Sequence, residues 1–419
     1  MRAHQNSLSC GARGEYEGVV LRAGSGYAVT EDGTEAGRMA TQLALQAAGL
    51  PSAQVAMVFA GARHGSDEFR AVLDAARETS GATAVLGCST TGIITNAQEI
   101  ENHSAVAVLV FGGEDELPLL VASPVRAAPR RAGVRLGKAA RARLGGDVTG
   151  ATMVVLVDPH QLDASAFVAG IAEGAPGLNV VGAGAASRED GEARVFTDGK
   201  AVLDAAVAFL MPGSLSPTIG MTHGCQGVSK PLPITAVEDN VILEIDGRPA
   251  ADVLKEVLSQ PDNRPLEKLS IPLLAGIGER LCDDRSDYVV RPFVVPVDDP
   301  RCLAVPEPVR AGQTIRFTLR DAIGARDDMK AMLDEQSHLR GKTAPAFGLY
   351  FNCAGRGSAL YGRSGLDPDL IQRRFGDMPL IGIESAFEIA PTCGRPQVHM
   401  LTGVLLLAGE RAAAQATAS

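Results

Sequence analysis

One pattern recurs along the chain and limits what it can fold into: an amphipathic helical stretch, a short apolar run, a second helical stretch, a second apolar run ending in small residues, then further strand. It occurs three times. In the first copy Met39, Leu43 and Ala47 fall at helical spacing, and Gln54 to Ala60 reads as a strand. Ser66 is expected to cap a helix whose apolar face is Phe69, Val72, Leu73 and Ala76. Thr83 to Gly87 is a buried strand running into Cys88-Ser89-Thr90-Thr91-Gly92. Ser104 to Phe111 and Leu117 to Ser123 are expected to pair antiparallel across the turn Gly112 to Glu116.

The second copy has a basic helix over Pro129 to Leu144, a strand Ala151 to Val157 and a helix Ala164 to Glu173. A strand Asn179 to Gly182 then enters Ala183-Gly184-Ala185-Ala186-Ser187, and Arg194 to Thr197 and Ala201 to Met211 complete the copy. The third runs from a helix over Arg326 to Leu339 through the strand Ala346 to Asn352 to a helix with Asp367 at N-cap and Pro368 at N1. It ends in Leu380 to Ile383 and Gln397 to Leu407. Each copy carries a strand apolar on both faces, so the fold class is α/β: mixed sheets covered by helices, with three internal α-β-α-β-β copies. Between the second and third copies, Ser216 to Arg320 reads mostly as strand, with one helix from Ala250 to Leu258. The break at Pro212-Gly213-Ser214 separates a unit over 27–213 from one over 214–410; 1–26 is a tail with the first strand, and 411–419 a disordered tail.

Charge and composition narrow the function classes. A net charge of −10 disfavours a phosphate backbone or an anionic bilayer as partner. The absence of tryptophan argues against a stacking surface for single strands. No apolar run approaches the ~20 residues that span hydrocarbon, and the polar, Gly-rich start lacks a secretory stretch, so a cytoplasmic protein is expected. The seven cysteines are odd in number and scattered, and the seven histidines show no metal-ligand spacing. Neither metal nor cofactor is expected.

In open α/β sheets ligands sit beyond the carboxyl ends of strands. After the first strand of each copy that rule selects His64, Asp158 and His160, and the Cys353-Ala354-Gly355-Arg356-Gly357 loop. After the second it selects Cys88, Ser89, Thr90 and Thr91, then Ser187 and Arg188, then Glu384-Ser385. Cys353, with Arg356 three residues on, is placed where a thiolate would be favoured; the alternative is a buried cysteine acting as a small hydrophobe. Gly182-Ala183-Gly184 lacks the third glycine of a dinucleotide fingerprint. The basic helix reads as a solvated face.

Longer stretches carry a resemblance. Gly224-Cys225-Gln226-Gly227-Val228-Ser229-Lys230-Pro231, continuing to Asn240 through Ala250, resembles the opening of the FIST C domain. Asn352-Cys353-Ala354-Gly355-Arg356-Gly357 is similar to its Cys-x-x-Arg-Gly core, and Pro379-Leu380-Ile381-Gly382 with Glu388-Ile389-Ala390-Pro391 to its closing motif. Gly87-Cys88-Ser89-Thr90-Thr91-Gly92 is similar to the FIST N signature. The resemblance implies two FIST units, 27–213 and 214–410, and a sensory protein of signal transduction that binds a small ligand, amino acids being the usual proposal. With so short a stretch ahead of the resemblance, no F-box is expected.

The FIST N signature usually continues Gly-Glu, whereas this chain has Gly92-Ile93, so an acidic ligand contact is missing; Phe387 stands where glycine is common. Glu388 is expected to receive an ammonium group, and Arg356 a carboxylate. The expected partners are a small-molecule ligand, in a pocket between the units, and a separate signalling protein. The alternatives are a thiol-dependent enzyme or electrophile sensor using Cys353, and a non-catalytic adaptor with a vestigial pocket. No catalytic residue is assigned beyond that reactive-thiol candidate.

Overall fold

A strand with no polar face must be covered on both sides. Val55–Gly61, Ala105–Gly112, Thr152–Val157, Ala206–Met211 and Thr402–Ala408 bury every residue, and the architecture follows from stacking such strands. The computed structural model describes residues 21–61, 66–96, 98–113, 117–187, 192–260, 273–280 and 287–409. The expected tail at 411–419 lies outside them.

In chain order the first stretch gives β1 (Arg22–Val29), α1 (Gly33–Ala48), β2 (Val55–Gly61), α2 (Ser66–Ser80), β3 (Ala84–Thr90), β4 (Gly92–Thr95), β5 (Glu99–Glu101) and β6 (Ala105–Gly112). The next gives β7 (Leu119–Ala122), α3 (Pro129–Arg143), β8 (Thr152–Val157), α4 (Ala164–Gly174), β9 (Asn179–Gly184), β10 (Val195–Thr197), β11 (Lys200–Val202) and β12 (Ala206–Met211). After β13 (Thr218–His223) comes a strand-rich region of β14 (Cys225–Gly227), β15 (Leu232–Glu238), β16 (Val241–Ile245), β17 (Arg248–Pro249), α5 (Ala250–Ser259), β18 (Leu273–Gly278), β19 (Tyr288–Arg291), β20 (Leu303–Ala304) and β21 (Thr314–Arg320). The chain returns through α6 (Ala322–Arg340), β22 (Phe347–Cys353), α7 (Gly357–Tyr361), α8 (Leu366–Phe375), β23 (Leu380–Ser385), β24 (Glu388–Thr392), β25 (Arg395–His399) and β26 (Thr402–Ala408). The protein is α/β with mixed sheets. No helix among the described residues is long and apolar enough to cross a membrane.

The strand order β1-β6-β2-β3 of one sheet returns as β7-β12-β8-β9 and as β13-β26-β22-β23 in two others. In each the last two strands are parallel, and their neighbour runs antiparallel. A hairpin from another stretch of the chain then extends each sheet: β10–β11 beside β3, β24–β25 beside β9, and β4–β5 beside β23. This exchange covers an edge that would otherwise present unpaired backbone. It also overturns two sequence expectations. β6 sits between β1 and β2 with no free edge, so β7 pairs with β12 rather than with β6. Val195–Thr197 joins the first sheet rather than the second.

One face of all three sheets points to a shared apolar centre that holds Met57, Phe59, Leu156, Val181, Phe351 and Val404. Phe111 of β6 meets Phe209 of β12 at 6.1 Å and Phe347 of β22 at 4.8 Å between ring centroids, so one ring from each sheet closes the middle. Each large side chain so buried contributes ~1.5–3 kcal/mol. The outer faces are covered by helices: Ala56, Val58 and Ala60 pack with Phe69 and Val72 of α2. A fourth sheet, with α5, keeps a separate core around Ile242, Val253, Ile315 and Phe317.

The parallel pairs are held at close range by glycine. A Cβ on Gly87 would lie 1.7 Å from the Val58 carbonyl oxygen, one on Gly182 1.8 Å from that of Val155, and one on Gly382 2.2 Å from that of Tyr350. Gly87→Ala is therefore expected to destabilise the protein by more than ~3 kcal/mol, read as a fall in the denaturant midpoint. A change below ~1 kcal/mol would show that the strand contact is not needed.

Candidate functional site

The carboxyl ends of β3, β9 and β23 are laced together. Ser89 Oγ donates to the Ala186 carbonyl at 2.9 Å and accepts from the Arg194 N–H at 2.9 Å. Thr90 Oγ1 donates to the Glu384 carbonyl at 2.7 Å, and the Gly184 N–H donates to the Phe387 carbonyl at 2.9 Å. Polar side chains at these ends are thereby brought under the loops that follow.

The densest group lies at the seam where β4–β5 lies against β23. Parallel register sets Asn352 beside Glu384, and the i, i+2 alternation of β5 carries Glu99 and Glu101. Glu99 accepts from Asn352 Nδ2 at 3.1 Å and from the Gly365 N–H at 2.9 Å. Glu101 accepts from the Ser358 N–H at 2.8 Å and from the Ser358 hydroxyl. Glu384 accepts from Thr91 Oγ1 at 3.2 Å. Carboxylate oxygens of Glu99, Glu101 and Glu384 lie within 4.8 Å of one another. Gly357, at φ +52°, is bare where a Cβ would come within 2.6 Å of Glu101 Oε1. Burial first, and then neighbouring carboxylates, push Glu99 up to about 7 and Glu384 up to about 8. Among the described residues no Lys or Arg forms an ion pair with any of the three.

Arg356 faces elsewhere. It is 1% exposed and donates through Nε to Asp367 Oδ2 at 3.1 Å and through Nη2 to the Tyr361 hydroxyl at 2.7 Å. Tyr350 and Tyr361 also donate to Asp367, at 2.8 and 2.9 Å. The expected N-cap role of Asp367 is corrected: α8 starts at Leu366 after Gly365, and Asp367 turns inward to the guanidinium. Glu388, wholly buried, accepts from Ser385 Oγ at 2.9 Å and from Thr402 Oγ1 at 2.5 Å. The expected clamp of Arg356 on a ligand carboxylate and Glu388 on its ammonium group thus meets two side chains already bonded within the protein. Burial, with the Glu388 carboxyl adding, pushes the Cys353 thiol up to about 12, while Arg356 is the weakest influence on it. The expectation of a favoured thiolate is corrected: burial outweighs the guanidinium, which is itself engaged by Asp367.

The other sequence candidates separate. Cys88 is buried in the shared centre with its thiol pushed upward by burial. Asp158 belongs to a different network, accepting from Arg126 Nη2 at 2.6 Å and from the His160 N–H at 3.0 Å. Ser187 follows β9, half-buried. His64 and Arg188 lie outside the described residues. Ile93 is buried in the shared centre, and the Phe387 ring rests where a Cβ on Gly184 would fall, at 2.7 Å. Sequence reasoning passed over Glu99, Glu101 and Asn352. The signal for the first two was present as two acids alternating on one strand face just after the Gly92 hairpin.

Residues 54–248 match the family model of the FIST N domain and residues 250–391 that of the FIST C domain. An uncharacterized protein of Mycobacterium tuberculosis is 27% identical over 92% of this chain and 99% of its own length. An uncharacterized protein of Mycobacterium bovis is 28% identical over 92% of this chain and 98% of its own. Among solved structures, a cyanuric acid hydrolase from A. caulinodans overlaps 94% of this chain and 100% of its own, at 9% identity and a TM-score of 0.36.

Two expectations follow from the buried groups. Glu388 keeps its proton up to about pH 8 in the folded protein, whereas a glutamate in the unfolded chain releases it near 4.5. The folded state thus binds the extra proton between those values, and stability falls as the pH rises through that window, by up to ~1.4 kcal/mol per pH unit. Glu388→Gln, having no proton to lose, flattens the fall: its melting temperature gains on the parent at pH 8.5 relative to pH 5. A parallel displacement at both pH values contradicts the assignment. At pH 7.5, timed iodoacetamide labelling read by peptide mass spectrometry should modify the exposed Cys393 well before Cys353, and the reverse order would restore a reactive thiol.

Proposed function

The chain belongs to the FIST family, whose domains are sensory domains of signal transduction, and from that premise we propose that it senses a small metabolite at the seam between β4–β5 and β23. The metabolite is an amino acid or a similar compound, and occupancy is passed to a separate signalling protein in the cytoplasm. One observation carries the reading: three carboxylates meet there, and among the described residues none of them is ion-paired to a Lys or Arg. Burial makes Glu99 and Glu384 hold their protons, so a ligand that brings positive charge, on its own ammonium group or through a cation bound with it, displaces those protons and is held by the carboxylates. The seam also joins distant parts of the chain, Glu99 and Glu101 lying more than 250 residues before their partners Asn352 and Ser358. A ligand held there is in contact with both FIST domains.

A thermal-shift screen of amino acids and small carboxylates tests the proposal. A compound that binds only the folded form at about one hundred times its Kd stabilises by ~2.7 kcal/mol. The expected result is a melting temperature raised by at least one such compound and no rise in Glu384→Gln. A screen in which nothing stabilises the parent, or a shift kept in full by Glu384→Gln, would sink the assignment of this seam.

A further inference from the structure

We propose that the positive charge at the seam arrives as one divalent cation, held by Glu99, Glu101, Glu384 and the amide oxygen of Asn352. The inference deepens the reading of the seam as the ligand seat and rests on it. Two independent observations meet here. The first is the carboxylate triad, whose oxygens lie within 4.8 Å of one another. Ligands on opposite sides of a cation at about 2.4 Å are about 4.8 Å apart, so the spacing suits a single ion centre and is too tight for a larger body between the oxygens.

The second observation is Asn352 itself. The residue is wholly buried, yet its Oδ1 has no hydrogen-bond partner. Its Nδ2 touches Glu99, and its position in the strand register is directly beside Glu384, so the amide lies in the carboxylate group. A buried amide oxygen without a donor is uncommon in folded proteins, and an ion or an ordered water is what satisfies it most simply beside carboxylates. Carboxylate and amide oxygens together form a hard donor set, which selects Mg²⁺, Mn²⁺ or Ca²⁺ over softer metals.

Charge decides between an ion and an ammonium group. Once all three carboxylates have released their protons they carry three negative charges, of which an ammonium group balances one and a divalent cation two. The remaining charge then falls to Glu101, the carboxylate of the three that reaches solvent. The N–H groups of Ser358 and Gly365 and the hydroxyl of Thr91 already hold the carboxylates in orientation, as outer-shell donors do around a metal. Coordination positions beyond the four protein oxygens are left to water, or to the carboxylate of the sensed metabolite.

Calorimetric titration of chelator-treated full-length protein with Mg²⁺, Mn²⁺ and Ca²⁺, each alone, tests the site, with melting temperature as the second readout. One saturable site per chain is expected for at least one ion, weakened ~10-fold or more by Glu384→Gln. Asn352→Asp should act in the opposite direction. It supplies a charged oxygen, so the apo protein melts lower and the gain on adding the ion grows. A general packing defect would lower both states alike. No saturable binding at millimolar ion, or binding unchanged in both variants, overturns the site. Stabilisation of the chelator-treated protein by an amino acid, with none by any ion, also overturns it while leaving the metabolite reading standing.

Discussion

The exchange of hairpins between sheets is the constraint on which the rest of the structure depends. Strands such as β2, β8 and β22 are apolar on both faces, so each sheet needs a helical layer outside and another sheet inside. Three sheets facing one centre leave their outermost parallel strands, β3, β9 and β23, with an open edge near the middle of the molecule. Unpaired backbone there would cost ~1–3 kcal/mol per group. Hairpins that leave one stretch and pair with another remove that cost, and they make each third of the sheet system incomplete without a neighbour.

Polar chemistry then collects where the apolar argument ends. Beyond the last residues of the parallel strands the backbone turns outward, and side chains at those positions face one another across the exchange. The seam tolerates this in two ways. Arg356 and Asp367 form a closed pair with two tyrosine hydroxyls, a geometry in which attraction and hydrogen bonding offset desolvation. The glutamates have no such partner, and their raised proton affinities are the sign of it: burial makes the charged form unfavourable until something positive arrives. Removing Asp367 would strand a fully buried guanidinium, whereas neutralising Glu384 removes a liability. The two clusters lie side by side with opposite energetic characters.

The sequence disclosed the class of fold because period and burial are local properties. Runs like Ala105–Gly112 can only be interior strands, and the helix over Met39, Leu43 and Ala47 forms as expected, but its apolar face is corrected: those three lie on the exposed side, while the small residues Ala36, Ala40 and Ala44 face inward. Pairing was harder to read. Nothing in Leu119–Ala122 says that its partner is β12 rather than β6, because both partners are equally apolar and the decision rests on which edge is free once the sheets assemble. The same holds for the site. Thr90, Thr91, Cys353, Arg356 and Glu384 were found by the rule that ligands gather beyond strand ends, and Glu388 through the family resemblance. Glu99, Glu101 and Asn352 escaped because they become neighbours only through the exchanged hairpin. Arg356 was read as a ligand clamp for a related reason: its true partner, Asp367, matched a helix cap by spacing alone.

If the seam is the sensing element, its placement bears on how occupancy becomes a signal. A ligand can shift an equilibrium only by the difference in its affinity for two states. Here that difference has a physical source, since Glu99 and Glu101 move with β5 while Glu384 and Asn352 belong to β23 and β22. Any state in which the hairpin is displaced from β23 separates the oxygens and loses the ligand. Binding therefore favours the paired edge. Without a ligand the opposite is favoured, since burial of Glu99 against Glu384, which raises the proton affinity of both, is relieved by moving the hairpin away. An acidic seam without its ligand is thus biased toward loosening and a filled one toward closure, which is the two-state behaviour a sensor needs from so small a set of atoms.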